Sequence, residues 1–199
     1  DASGKYATAL GDGARAVGLY STALGSNARA NADFATSVGT NSYAFGRYAT
    51  AVGTGAYATV AGTSLGISAV ARGQEATALG ADSAVWSTGG VAVGGHAYVA
   101  ESAPNGVAIG EKSNVAHGSG VAVGAYATAA GYAGTALGVG AAALGDSSVS
   151  LGIQSMAGGA YGTAVGPFAV AQGYSSVAVG DTANALGTNS VAVGSDAYA

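Results

Sequence analysis

Ser176-Val177-Ala178-Val179-Gly180 is followed fourteen residues later by Ser190-Val191-Ala192-Val193-Gly194. Small and larger residues alternate with period two and then stop on glycine, which is the pattern of a short strand ending in a turn. Working outward from this pair, the same closing glycine recurs at Gly11, Gly25, Gly39, Gly53, Gly66, Gly80, Gly94, Gly110, Gly124, Gly138, Gly152 and Gly166. Eleven of the thirteen spacings are 14 residues, one is 13 and one is 16. A fixed short period denotes stacked copies of one small unit, and it decides the architecture ahead of any propensity argument.

With the glycine as position 14 of a turn, positions 10 to 14 read small, Thr or Val, Ala or Ser, then Leu, Val or Ile, then Gly, as in Gly106-Val107-Ala108-Ile109-Gly110. Threonine and valine suit a pleated surface. Positions 3, 5 and 7 form a second alternation of small residues, for example Ala14-Ala16-Gly18 and Ala141-Ala143-Gly145, with variable residues between them. Turn formers separate the two runs, as in Asp12-Gly13, Ser26-Asn27 and Asp146-Ser147. Two short strands and two tight turns fill the period. Stacked in register about 4.8 Å apart, they make two parallel sheets. The expectation is an all-β parallel solenoid of about 14 turns. Its interior is thin, so a larger residue at position 5 or 12 is expected to cost more than its hydrophobicity gains.

Composition agrees with this reading. The 199 residues include 36 glycines, only 8% charged residues and 49% apolar ones, too apolar for a disordered chain. Net charge is −4, which leaves no electrostatic footprint for nucleic acid. Lys5, Arg15, Arg29, Arg47, Arg72 and Lys112 all precede residue 113 and read as solvated surface charges. Cysteine is absent, which excludes a disulfide framework and a thiolate zinc site. No apolar run approaches the length of a membrane helix, and no membrane contact is expected of this segment. The pattern runs from one end to the other, so residues 1–199 are expected to be one repetitive domain within a longer protein.

If position 12 points inward, positions 11 and 13 point outward. Position 13 carries Leu10, Leu24, Val38, Val52, Leu79, Val93, Ile109, Val123, Leu137, Leu151, Val165, Val179 and Val193. A continuous apolar row of this kind marks an interface. Lengthwise self-association is the expectation, with a different partner along the same row as the alternative.

At these residues the chain resembles a known family. Asn189-Ser190-Val191-Ala192-Val193-Gly194-Ser195 is similar to the repeat of the YadA-like head of trimeric autotransporter adhesins, and Ser176 to Gly180 and Asn105 to Gly110 are close variants. The resemblance covers essentially the whole chain. It implies a left-handed parallel β-roll, assembled as a homotrimer with the position-13 row at the shared centre. It also implies display on the outer membrane of a Gram-negative bacterium, anchored through regions outside this sequence. Finally, it implies adhesion to host cells or to matrix proteins such as collagen, fibronectin or laminin.

Departures from the repeat are the candidate sites. The 16-residue turn carries Glu101-Ser102-Ala103-Pro104-Asn105, read as a bulging surface loop; the 13-residue turn ending at Gly66 reads as a local adjustment. Tyr6, Tyr20, Phe34 and Tyr48 recur at position 9 and should stack as a ladder. Tyr43, Phe45, Tyr57, Trp86 and Tyr98 fall at outward positions of the second strand, and together with Glu101 and Pro104 they form the candidate binding set. Packing against a neighbouring chain and an adhesive strip are both open readings of these rings.

Chemical motifs are thin. Gly110-Glu111-Lys112-Ser113 only superficially resembles a phosphate loop, because Glu111 interrupts the required order. His96 and His117 fall in different turns, and no acid pair or nucleophile–base pair recurs. No catalytic residue, metal site or cofactor is expected, and identical stacked turns do not enclose one unique pocket. The leading expectation is a non-enzymatic adhesin head, with a rigid spacer for another binding domain as the alternative. The threonines Thr8, Thr22, Thr36, Thr50 and Thr77 also prompt an ice-binding reading, but they lie beside the presumed interface. A left-handed acyltransferase fails, because its repeat is a hexapeptide.

Overall fold

The computed structural model describes residues 1–199, which form strands and turns with no helix. The chain divides into two units, residues 1–97 and 98–199. In the first, three-residue strands run at Thr8–Leu10, Thr22–Leu24, Thr36–Val38, Thr50–Val52, Thr63–Leu65, Thr77–Leu79 and Val91–Val93. Two-residue strands alternate with them, from Arg15–Ala16 to Ala84–Val85. The second unit repeats this order from Tyr98–Val99 to Val191–Val193. Each strand pairs in parallel with its copy one turn away, as in Thr8↔Thr22 and Leu10↔Leu24, or Thr163↔Val177 and Val165↔Val179. The fold is therefore an all-β parallel solenoid. It has about 13 complete turns, because the last three-residue strand is followed only by an isolated bridge between Asn184 and Tyr198.

The second strand is shorter than the alternation of positions 3, 5 and 7 implies: only positions 4 and 5 are extended, and position 7 begins a turn. Two tight turns close each coil. In one, the position-3 amide donates to the position-14 carbonyl, as Ala14 does to Gly11 at 3.2 Å. In the other, the position-10 amide donates to the position-7 carbonyl, as Ser21 does to Gly18 at 3.2 Å. The third residue of each turn has positive φ, 56° at Asn27 and 55° at Tyr20, the geometry of a type II turn.

Position 14 is glycine for a steric reason. At Gly152 φ is 140°, and a Cβ there would stand 2.4 Å from the Gly166 carbonyl oxygen. The same contact, glycine over glycine, recurs down the column, which lets successive turns close to sheet spacing.

The core is as thin as expected. Alanine, serine and glycine fill positions 3, 5, 10 and 12, nearly all fully buried. One expectation needs correction. Val85, Val99 and Val115 occupy position 5 with no exposed surface. Each has glycine at position 10 of the same turn, namely Gly90, Gly106 and Gly120. A Cβ on Gly106 would lie 3.0 Å from Cγ1 of both Val99 and Val115, so the missing methyl is the space the valines use. Some buried serines are paired locally, whereas the hydroxyls of Ser64, Ser87 and Ser148 have no partner. Ser37 and Ser42 hydroxyls lie 2.7 Å apart, as do those of Ser150 and Ser155.

Of the two irregular turns, the shorter leaves the register intact. In the short one, Thr50 still pairs with Thr63 and Tyr57 with Val70, and the Thr59 hydroxyl donates to the Arg72 carbonyl at 2.7 Å. The long one is not a free bulge. It makes two successive tight turns, Ala103 amide to Ala100 carbonyl and Gly106 amide to Ala103 carbonyl, with Ala103 buried between them. The Ser102 hydroxyl donates to the Ala116 carbonyl at 2.6 Å, pinning the insert to the next turn.

Gly152→Ala should lower stability by about 1–3 kcal/mol, the cost of holding a side chain in a forbidden backbone region against a carbonyl. Gly158→Ala, whose Cβ would meet nothing nearer than 3.7 Å, should stay within about 0.5 kcal/mol of the parent. Chemical denaturation of the two variants checks this; equal midpoints would remove the steric role of the column. Gly120→Ala should cost about 1–3 kcal/mol by overpacking against Val115, and Val115→Ala in the same chain should recover much of it. An additive double variant would show that the two positions do not share space.

Candidate functional site

Two surfaces stand out, one on each sheet. On the three-residue sheet the position-13 side chains lie in register: Leu10, Leu24, Val38 and Val52 in the first unit, and Ile109, Val123, Leu137, Leu151, Val165, Val179 and Val193 in the second. They are half-buried or exposed, with Leu79 and Val93 continuing the first-unit row. Leu65, half exposed, belongs to the same row between Val52 and Leu79, and the sequence reading passed over it. Thr63-Ser64-Leu65-Gly66 carries the strand pattern in full, but the shortened turn before it breaks the 14-residue count. Beside this row runs position 11, threonine from Thr8 to Thr77 in the first unit and mostly valine in the second.

The other surface is the outer face of the two-residue sheet. Position 5 is buried, so positions 4 and 6 face out. In the first unit, position 4 is the column Arg15, Arg29, Tyr43, Tyr57 and Val70. Tyr43 and Tyr57 are thus direct neighbours. Phe45 stands on position 6 and is 59% exposed; Trp86, also on position 6, is 37% exposed. Tyr98, Glu101 and Pro104 belong to the second unit, where all three are exposed and Tyr98 pairs with Asn114. The candidate set is therefore divided: four rings in the first unit, and one ring with the pinned insert in the second.

The expected ladder is present. Tyr6, Tyr20, Phe34 and Tyr48 stack with ring centroids 4.9, 5.5 and 5.1 Å apart. Their backbones sit at positive φ, between 55° and 61°. For a bulky residue that conformation costs on the order of 1–3 kcal/mol, and each stacked pair returns about 0.5–1.5 kcal/mol.

The basic residues are not simply solvated. Five of the six lie over aromatic rings: Lys5 over Tyr6, Arg29 over Tyr43, Arg47 over Phe34 and Tyr48, Arg72 over Tyr57 and Trp86, and Lys112 over Tyr126. The Arg72 guanidinium is 4.7 Å from the Trp86 ring centre and 5.9 Å from that of Tyr57. The sequence carries only part of this: Arg15, Arg29 and Tyr43 recur at 14-residue intervals on one outward column, but which ring each cation reaches is not set by the period. The histidines make ordinary surface contacts. Nδ1 of His117 is 3.0 Å from the Ala130 carbonyl oxygen, and Nδ1 of His96 is 4.0 Å from the Asp82 carboxylate. No group of three metal-donor side chains converges, and the surface has no pocket.

The model of the YadA head domain repeat matches residues 2–28, 30–56, 60–83, 71–97, 102–127, 129–155, 143–169 and 171–197. The chain belongs to the YadA head domain repeat family. Each match spans about two turns of the solenoid, and together they cover nearly every residue. No curated protein matches the chain at a significant level. Membership carries an adhesin-type function, since YadA heads are structural domains of surface-exposed adhesins and not an enzyme family.

Trp86 is the only tryptophan, so it reports on its own surroundings. Arg72→Ala should raise quenching of its fluorescence by acrylamide, because the guanidinium no longer covers the indole. Unchanged quenching would take Arg72 off the ring.

Proposed function

We propose that residues 1–199 act as one adhesive YadA-type head that self-associates through the position-13 row. The observation carrying this is the row itself. It is a column of Leu, Val and Ile in register along each unit, set outward on a sheet whose inner side is already filled. A chain that leaves such a surface to water forgoes about 25 cal/mol for each Å² of apolar area it fails to bury. The family's trimeric assembly, left-handed winding and attachment to a bacterial outer membrane fit this surface. With the apolar sheet turned inward, the opposite sheet faces the host. There Tyr43, Phe45, Tyr57, Trp86 and Tyr98, with Glu101 and Pro104 of the insert, are the contact residues. The ligands are host matrix proteins, collagen, fibronectin or laminin among them, or the host cell surface. Several weak contacts on each chain, multiplied by assembly and by display, supply avidity.

The test is saturable binding of the assembled chain to a panel of matrix proteins and host cells, with mass measured by light scattering. Val123→Asp should lower the mass to that of one chain while the β-sheet circular dichroism persists, because the new carboxylate is half-exposed in one chain and buried unpaired in the assembly. A variant that stays assembled would remove the row from the interface. An assembled chain that binds no panel member would make this segment a spacer.

A further inference from the structure

We propose that the outer face of the two-residue sheet in residues 1–97 is a docking strip for a linear sulfated polysaccharide; this rests on the adhesin reading and names a ligand class for it. The strip is built from Arg15, Arg29, Tyr43 and Tyr57 on one column, with Arg72 and Trp86 on the next. Arg15 and Arg29 are one turn apart, about 4.8 Å, and Arg72 lies three turns beyond Arg29, about 14 Å. The acids of this unit are elsewhere: Asp12, Asp33, Glu75 and Asp82 sit in turns, and Asp1 at the terminus. The only ion pairs of the chain are His96 with Asp82 and Lys112 with Glu111. All three arginines of the strip therefore lack a carboxylate partner. A guanidinium held over a ring with no carboxylate partner keeps its terminal N–H groups for an anion arriving from outside.

The surroundings select the polymer. The backbone of this sheet is hydrogen-bonded from turn to turn, so a peptide finds no open edge along the strip on which to add a strand. No enclosed pocket opens on it for a compact ligand. The strip is one or two side chains wide in a chain of net charge −4, too narrow to neutralise a nucleic-acid duplex. An extended chain lying flat remains, held by sulfate oxygens on the guanidinium forks and by C–H faces of sugar rings on Tyr43, Tyr57 and Trp86. The second unit supplies an internal control. Its position-4 column reads Tyr98, Asn114, Thr128, Ala142, Met156, Val170 and Asn184, with no cation.

The experiment measures affinity of the full 199-residue chain for heparin at several salt concentrations, beside unsulfated hyaluronan and polyglutamate of matched length. The expected result is heparin binding that weakens as salt rises. Hyaluronan and polyglutamate should bind at least tenfold more weakly. Arg29→Gln with Arg72→Gln should weaken heparin binding at least tenfold, with unchanged circular dichroism, and Lys112→Gln should leave it as in the parent. Absent heparin binding at physiological salt, an unaffected double variant, or equal binding to polyglutamate each overturns the proposal. Matrix-protein binding measured on the same samples separates the two readings. Its persistence without heparin binding overturns the glycan assignment and leaves the adhesin reading standing, and heparin binding without it overturns the matrix-protein ligands and leaves the glycan as the adhesive target.

Discussion

The fold depends on how closely one turn can lie over the next. Parallel strands pair at about 4.8 Å, and every part of the coil must accept that spacing, turns included. Both turn corners are tight, and at position 14 a glycine at positive φ rests on the carbonyl of the glycine in the next turn. With that contact met, the strand pairing, the turn-to-turn hydrogen bonds and the columns of side chains all follow in register. Losing one strand residue would break every column above it, whereas the lost and added residues seen here fall in turns. The chain is thus permissive in turn length and strict in strand length.

Stability is drawn mainly from the backbone. Alanine and serine bury little area, so the interior supplies dense packing and few large hydrophobic contributions. Each turn instead adds a set of parallel backbone hydrogen bonds, worth about 0.5–1.5 kcal/mol apiece in net terms. Side chains can then be chosen for the outside. Positions 2 and 9 hold Asn, Ser, Tyr, Phe, His, Glu and Lys in the same left-handed conformation. Tyr6, Tyr20, Phe34 and Tyr48 show how its strain is offset, by stacking ring on ring.

Most of the architecture was legible in the sequence because one period controls it. The column of glycines gave the turns, and small residues at positions 5 and 12 gave the inner faces. The position-13 row gave the apolar ridge, except for Leu65, which follows the one short turn. What the sequence hid was compensation between positions. That Val85, Val99 and Val115 fit depends on glycines five to seven residues later in the chain and across the core from them. The candidate site was legible as rings, but not as rings carrying cations. Alternation shows which residues face out, whereas the reach of a long arginine to a ring one turn away is a three-dimensional property. The division of the site residues between two units is likewise invisible to a repeat that runs on without change.

The direction of the hydrogen bonds has a mechanical consequence. In each unit they run along the stack, while the covalent chain winds across it. A force that separates successive turns loads these bonds one rung at a time, so the rungs peel in sequence and do not share the load. Each turn that peels frees 14 residues, about 46–50 Å of extended chain, from a layer that had occupied about 4.8 Å. Such a unit yields by lengthening in small, nearly equal steps.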